Sequence, residues 1–213
     1  MSDKTRKIAV LTGDLVNSTG LGPEKVERAF MALEDCAEMQ AEWMGGQSLH
    51  FTRHRGDGWQ VALAEPKYAL RSALCFRAAL RALGEEFDSY IGIAEGDVEG
   101  EIGPDLNEET ATVFAQSGEE LEDLKTSRHF RMAHHSLQAI DAAIILADSI
   151  FQNWTPTQAE TMKLAMSPEA MSFSQISEIL KKSRQTVTKT LKAASYEHVI
   201  LALETLDGAQ SNA

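Results

Sequence analysis

The sequence is poor in cysteine, proline and aromatic residues: 213 residues hold two Cys, five Pro and 7% Phe, Trp and Tyr. Cys36 and Cys75 lack metal-ligand spacing and sit in helix-like segments. That argues against a disulfide framework or a cysteine metal site and suits two small buried hydrophobes in a reducing compartment. No apolar run approaches the roughly 20 residues of a membrane helix; the best candidate, Ala139 to Ile150, contains Asp141 and Asp148. Ile8 to Leu11 is too short for the apolar part of a signal peptide and runs into Gly13-Asp14. The expectation is a cytoplasmic protein without a membrane partner. Positive charge is also scarce, with 20 Lys and Arg against 32 Asp and Glu, net −12. What is present, 43% hydrophobic and 24% charged residues, excludes collagen-like and largely disordered chains.

The charge deficit is uneven. Residues 155–213 carry six basic and six acidic residues, so the first 154 hold the whole −12. Inside the neutral part, Ile176 to Lys192 has five basic residues against Glu178 alone. Between Gly92 and Leu124, eleven acidic residues occur with no Lys or Arg. Such a split implies two domains with different roles.

Ile8-Ala9-Val10-Leu11 reads as a buried strand ending at Asp14. Pro23 opens a helix through Val26, Phe30, Leu33, Ala37 and Ala41, closed by Gly45-Gly46. Leu49 to Arg53 and Trp59 to Leu63 read as a hairpin around Arg55-Gly56-Asp57-Gly58, because Asp-Gly tolerates the positive φ of a tight turn. Tyr68 to Leu83 reads as a helix and Tyr90 to Ala94 as a strand, which makes the order βαββαβ. Glu108 to Leu124 is expected to be a helix, and Arg131 to Trp154 a longer one with a bend or break near its start. On that reading His134 and His135 lie on different faces of a soluble helix and bind no metal. Thr155-Pro156 is a good N-cap and first helical residue. Three short helices follow, Pro156 to Ala165, Phe173 to Leu180 and Arg184 to Ala194, then one from His198 to Leu206 and a frayed tail from Asp207.

Asp14 at a strand end and Asp57 in a turn are the residues of greatest chemical interest in the first half. A sheet of this connectivity can bring the two carboxylates together, and paired hard oxygens suit Mg²⁺ or Mn²⁺. Asp in these places also serves structure alone, and the spacing leaves both readings open.

Asp14-Leu15-Val16-Asn17-Ser18-Thr19 resembles the Asp-Ile-Val-Gly-Ser-Thr metal-binding segment of class III nucleotide cyclases. Gly56-Asp57-Gly58-Trp59 resembles their second metal segment, and Tyr90 to Gly96 the strand that follows it. The resemblance spans residues 7–124. It implies a ferredoxin-like βαββαβ sheet, a Mg²⁺ pair on Asp14, Leu15 and Asp57, nucleotide contacts from Asn17, Ser18, Thr19 and Arg53, and sites shared between two protomers. Where such cyclases place a transition-state Asn and Arg, this chain has Gln116 and Glu120, so the resemblance is to a catalytically degenerate cyclase.

The C-terminal segment resembles a helix-turn-helix of the sigma-region-4 or response-regulator type. Ile176, Ile179 and Leu180 give one apolar stripe and Val187 and Leu191 another, so two short helices can pack across a turn at Lys181 to Ser183. Arg184, Gln185, Thr186 and Lys189 then suit base edges, while Lys181, Lys182, Ser183 and Lys192 suit phosphates. The combination resembles the SatD-type bacterial family. The expected fold is α+β: a ferredoxin-like cyclase-like domain over residues 1–135, a connecting helix over 136–154 and an all-α helix-turn-helix domain over 155–213. The expected function is a homodimeric DNA-binding transcriptional regulator whose first domain senses a metal, a nucleotide or a partner. A metal-dependent nucleotide-binding or nucleotide-processing enzyme using Asp14 and Asp57, and a protein-interaction scaffold, are the alternatives.

Overall fold

Ile8, Ala9, Val10 and Leu11 are all completely buried, which an extended chain achieves only in a sheet covered on both faces. The computed structural model describes residues 5–210 apart from 55, 128, 137 and 138, and shows that sheet. Strands β1 (Arg6–Leu15), β2 (Thr52–Arg53), β3 (Gly58–Leu63), β4 (Ser89–Val98) and β5 (Met132–His134) lie in the order β2-β3-β1-β4-β5. All neighbours are antiparallel except β4 and β5. The helices are α1 (Ser18–Leu21), α2 (Pro23–Ala41), α3 (Ala69–Arg81), α4 (Thr112–Ser127), α5 (Ala139–Phe151), α6 (Pro156–Ala165), α7 (Phe173–Leu180), α8 (Arg184–Ala193) and α9 (Tyr196–Gln210). The architecture is mixed α+β.

The two-residue period of the strands sorts their side chains between two cores. Ala9, Leu11, Trp59, Val61, Leu63, Ile91 and Ile93 join the larger core with α2 and α3. Ile8, Val10, Ala62, Ala94 and Val98 join the smaller one with Val113 and Phe114 of α4. By the same alternation Thr12 and Asp14 belong to the α4 face. Thr12 confirms this, since its hydroxyl lies 2.7 Å from that of Ser117 on α4.

The larger core continues without a break into the C-terminal helices through Ala159, Met162, Ile176, Val187 and Leu191. Helix α3 lies within it and is buried on nearly every side, including Arg71 and Arg77. Two ion-pair networks make that possible. Arg71 donates to the Met166 carbonyl (2.7 Å) and to Asp207 of α9 (3.1 Å from Nε). Arg77 grips Asp88 with Nε and Nη2 (2.8 and 2.9 Å) and Asp148 of α5 with Nη1. Cys36 and Cys75 are free and buried, and burial pushes the Cys36 thiol up to about 12. Native protein is therefore expected to resist a thiol-reactive dye, with both cysteines labelled only on unfolding; labelling without denaturant would contradict this burial.

The structure corrects several expectations. Residues 131–154 are not one helix. Met132–His134 forms β5, held parallel to β4 by Ile91 N–H to the Arg131 carbonyl and His135 N–H to the Ile93 carbonyl, both 2.8 Å. Only from Ala139 is the chain helical, so His134 is a buried strand residue rather than part of a solvated helix face. Strand β2 keeps only Thr52–Arg53, because His50 adopts φ 47° and interrupts the extended backbone. Helix α4 begins at Thr112, after a single 3₁₀ turn at Leu106–Glu108, and continues to Ser127. Helix α9 starts two residues early and passes Leu206, with Asp207 anchored by Arg71 instead of frayed. Arg55 of the hairpin, and the last three residues of the expected tail, fall outside the described residues.

Candidate functional site

β1 delivers Asp14 to the edge of the α4 face, opposite Gly58 in the β1–β3 register. The Leu15 N–H donates to the Asp57 carbonyl at 3.1 Å, which fixes the β2–β3 turn against the end of β1. The two side chains meet at one cleft, where each shifts the other's ionisation. They line a cleft of about 860 Å³ with Thr12, His54, Glu119, Glu122 and Lys125. The geometry thus brings Asp14 and Asp57 to one place.

Their protonation is unequal. Burial raises the Asp14 carboxyl, a hydrogen bond from Lys125 opposes this, and the facing Asp57 charge adds to the rise. Burial would raise Asp57 too, but hydrogen bonds from the Ser18 hydroxyl and from Asp14 leave it below its usual value. Asp14 is the member that takes up a proton first as pH falls.

Lys125 is the residue that sequence reasoning missed. Its Nζ lies 3.1 Å from Asp14 Oδ2 and 3.3 Å from Glu122 Oε1. The signal was available as the i, i+4, i+8 series Ser117, Leu121, Lys125. The first two are buried against the sheet, so the third must follow them toward the end of β1. Two glycines let α4 sit this low. A Cβ on Gly92 would fall 2.2 Å from the Ser117 carbonyl oxygen, and one on Gly96 would fall 2.9 Å from the Val113 Cβ.

Other expected residues divide. Ser18 donates to Asp57 Oδ2, and Ser18 and Thr19 line a smaller cavity of about 430 Å³ with Gly22, Pro23 and Asp57. Asn17 caps α1 in the left-handed conformation, φ 53°. Arg53 is turned away: its guanidinium is held by Glu27 (3.0 Å) and Glu34 (2.9 Å) of α2 and lies over the Phe30 ring. It is absent from the lining of the large cleft. Glu120 is engaged by His135 Nδ1 at 3.2 Å.

A divalent ion is a poor fit to these side chains as they stand. Asp14 Oδ2 already receives an ammonium and Asp57 Oδ2 a hydroxyl. Among the described residues no group of three or more His, Cys, Asp or Glu is arranged to hold a metal.

The basic segment lies elsewhere. Capping boxes start α6 (Thr155 with Gln158) and α7 (Ser172 with Gln175), and Ser183 caps α8 by accepting from the Thr186 N–H at 3.1 Å. Lys181 closes α7 with φ 52°, so only Lys181-Lys182-Ser183 separates α7 from α8. Val187 and Leu191 turn inward, which leaves Arg184, Gln185, Thr186, Lys189 and Lys192 exposed. Lys182 pairs with Glu160 of α6 at 2.7 Å. Among the described residues, the side chains of Lys181, Arg184, Lys189 and Lys192 have no carboxylate partner.

No family model matches the sequence, and no curated protein matches it at a significant level. Among solved structures, two of a bacterial light-regulated adenylyl cyclase are similar over 63% of this chain and 44% of theirs, at 16% and 18% identity and TM-scores of 0.43 and 0.44. The guanylyl cyclase Cya2 is similar over 56% of this chain and 73% of its own, at 21% identity and a TM-score of 0.37. The chain thus spans less than half the length of the light-regulated cyclases it matches. No described helix is long and apolar enough to cross a membrane.

Proposed function

We propose that the protein is a homodimeric DNA-binding regulator in which α7 and α8 form a helix-turn-helix and the sheet domain is a cyclase-like unit, without cyclase activity, that senses a ligand or partner. The observation that carries the DNA reading is the exposed face of α8. In a chain of net charge −12, this short helix presents three cations, Arg184, Lys189 and Lys192, none paired with a carboxylate among the described residues. Among the other described residues many cations are paired with a carboxylate, Arg53, Arg71, Arg77 and Lys125 among them. Leaving a cluster unpaired on a polar helix face is the arrangement that phosphates and base edges require. Gln185 and Lys189, on the side opposite Val187 and Leu191, are the base-reading pair; Lys181 and Lys192 flank them as phosphate contacts. A symmetric dimer would place two α8 helices roughly 34 Å apart, one turn of the duplex.

The cyclase-like assignment is supported by the strand order β2-β3-β1-β4 with antiparallel neighbours, the order expected of a ferredoxin-like sheet, and by Asp14 and Asp57 lining one cleft. In the resemblance to cyclases, Gln116 and Glu120 of α4 take the places of the transition-state Asn and Arg, and a carboxylate in that place would oppose a transition state that gathers negative charge. The carboxylates and their cleft leave one second reading, a metal-dependent nucleotide-processing enzyme, which requires Lys125 to release Asp14 before an ion can enter. Titration calorimetry with Mg²⁺ or Mn²⁺ and ATP, GTP, CTP or UTP separates the two, since heat and turnover with any of them would favour the enzyme.

The DNA reading is tested by fluorescence anisotropy against a genomic fragment library over a salt series. Binding should weaken steeply with salt, and Lys189→Glu should reduce affinity by about 1–3 kcal/mol, roughly fivefold to 150-fold. A Lys189→Glu protein that binds as well as the parent, or no binding by the parent at any salt, would sink the proposal.

A further inference from the structure

We propose that Lys125 is a tethered cation standing in for a divalent ion at the Asp14–Asp57 pair, so that the cleft is closed to metal by the protein's own side chain. Two carboxylates that line one cleft repel each other, and a proton or a positive charge beside them relieves that repulsion. Here the positive charge comes from α4. The Lys125 ammonium lies 3.1 Å from Asp14 Oδ2 and 3.3 Å from Glu122 Oε1, and it lines the same cleft as Asp57.

This differs from an ordinary surface ion pair in how firmly its two ends are placed. Asp14 is fixed by the β1–β3 and β1–β4 ladders, and its own carbonyl accepts from the Ser89 hydroxyl at 3.0 Å. The Lys125 backbone is placed by α4, which Gly92 and Gly96 allow to lie directly on the sheet and which the Thr12–Ser117 hydrogen bond pins there. The ammonium also stands in the last helical turn, where the helix dipole favours a cation. A cation held this way competes with a free ion at a high effective concentration. The Asp14 hydrogen bond in turn holds the Lys125 ammonium above its usual pKa, so it stays charged throughout the neutral range. Asp57 Oδ2 accepts from the Ser18 hydroxyl, a contact a metal-ligating carboxylate can keep, so the ammonium on Asp14 is the group that stands in an ion's place.

The consequence is that metal binding at this cleft is blocked by one removable side chain. Exclusion of metal here is independent of DNA binding, and its test uses no DNA. The full chain is titrated with Mn²⁺ while the electron paramagnetic resonance signal of the free aqua ion is followed, for the parent, Lys125→Met, Lys125→Gln, Lys125→Arg and the double variant Asp14→Asn with Lys125→Met. Lys125 has a side chain 38% exposed, so a neutral replacement has room. Both neutral variants are expected to gain one site at least about tenfold tighter than any in the parent. Lys125→Arg, which keeps the charge, should behave as the parent, and the double variant should lose the gain. Equal Mn²⁺ affinity in the parent and both neutral variants, or a gain that survives Asp14→Asn, would overturn the proposal.

Discussion

Arg77→Met is expected to lower the unfolding free energy by about 3–5 kcal/mol, because it leaves two buried carboxylates facing an apolar side chain. Arg77 is completely buried, as is Asp148, and Asp88 is nearly so. The guanidinium satisfies both, and its flat face lies 4.1 Å from the Phe151 ring centroid. Arg81 and Arg131 reach Asp88 only at longer range, 3.1 and 3.5 Å, so they cannot replace both of its contacts. Against a typical total stability of about 5–15 kcal/mol, the loss should appear as a fall of about 10 °C in Tm. The pH dependence carries a second signature. In the parent, burial alone would raise Asp88, but Arg77 outweighs it and holds the carboxyl below its usual value. A depressed carboxyl contributes stability that is present above the unfolded pKa of about 3.9 and is lost as pH falls through the folded one. Without Arg77 the burial effect dominates and the Asp88 pKa rises. The gap between variant and parent should therefore be widest near pH 8 and narrow as pH falls toward 5. Denaturation curves at the two values check this, and a gap that stays constant would mean that Asp88 is not the group left stranded.

The same network explains how the sheet edge carrying Asp14 is tied to the helices that lead to α8. Asp88 supplies the carbonyl that receives the Val16 N–H at 2.9 Å, and the next residue, Ser89, bonds the Asp14 carbonyl. Its carboxylate, through Arg77, reaches Asp148 on α5. Trp154, three residues beyond α5, donates to the Ala194 carbonyl at the end of α8, at 3.0 Å. A continuous set of hydrogen bonds and one shared core thus connect the cleft with the basic helix.

How much of this is legible in the sequence follows from where each signal lies. The helices of the C-terminal part are readable because their signals are local: Thr155 and Gln158, or Ser172 and Gln175, sit three residues apart and cap the helix they begin. Asp14 and Asp57 stand out because each sits in a short motif at a strand end or turn. Strand β5 escapes notice because three residues carry no measurable period, and its partner is an edge of β4 about forty residues earlier. Arg77 looks like one more cation on a helix. Its partners lie 11 and 71 residues away, and nothing in a single chain announces them. Arg53 points to a ligand through the cyclase resemblance, whereas Glu27 and Glu34 on α2 take it first.

Gly92→Ala and Gly118→Ala make the same chemical change in and beside α4 and are expected to act in opposite directions. Gly118 lies in the helix interior, and a Cβ added to it would meet nothing within 4 Å, so Ala there should add helix propensity and stabilise by up to about 1 kcal/mol. Gly92 lies in β4 beneath the same helix. A Cβ there would stand 2.2 Å from the Ser117 carbonyl oxygen, 2.5 Å from the Leu121 nitrogen and 3.1 Å from the Glu120 carbonyl carbon. All three are backbone atoms, so no side-chain rotation relieves the clash and α4 must lift from the sheet. Overpacking of this kind costs about 1–3 kcal/mol, and here it also breaks the buried Thr12–Ser117 hydrogen bond, adding about 1 kcal/mol. Chemical denaturation of the two variants side by side is the check. Loss of stability in both would mean that α4 tolerates no change at all, while no loss at Gly92 would mean that the helix does not rest on the sheet. Because Lys125 is carried on the lifted end of α4, Gly92→Ala should also loosen its hold on Asp14. If so, the Mn²⁺ affinity of a folded Gly92→Ala protein should move toward that of Lys125→Met, a change that a purely structural defect elsewhere in the sheet would not produce.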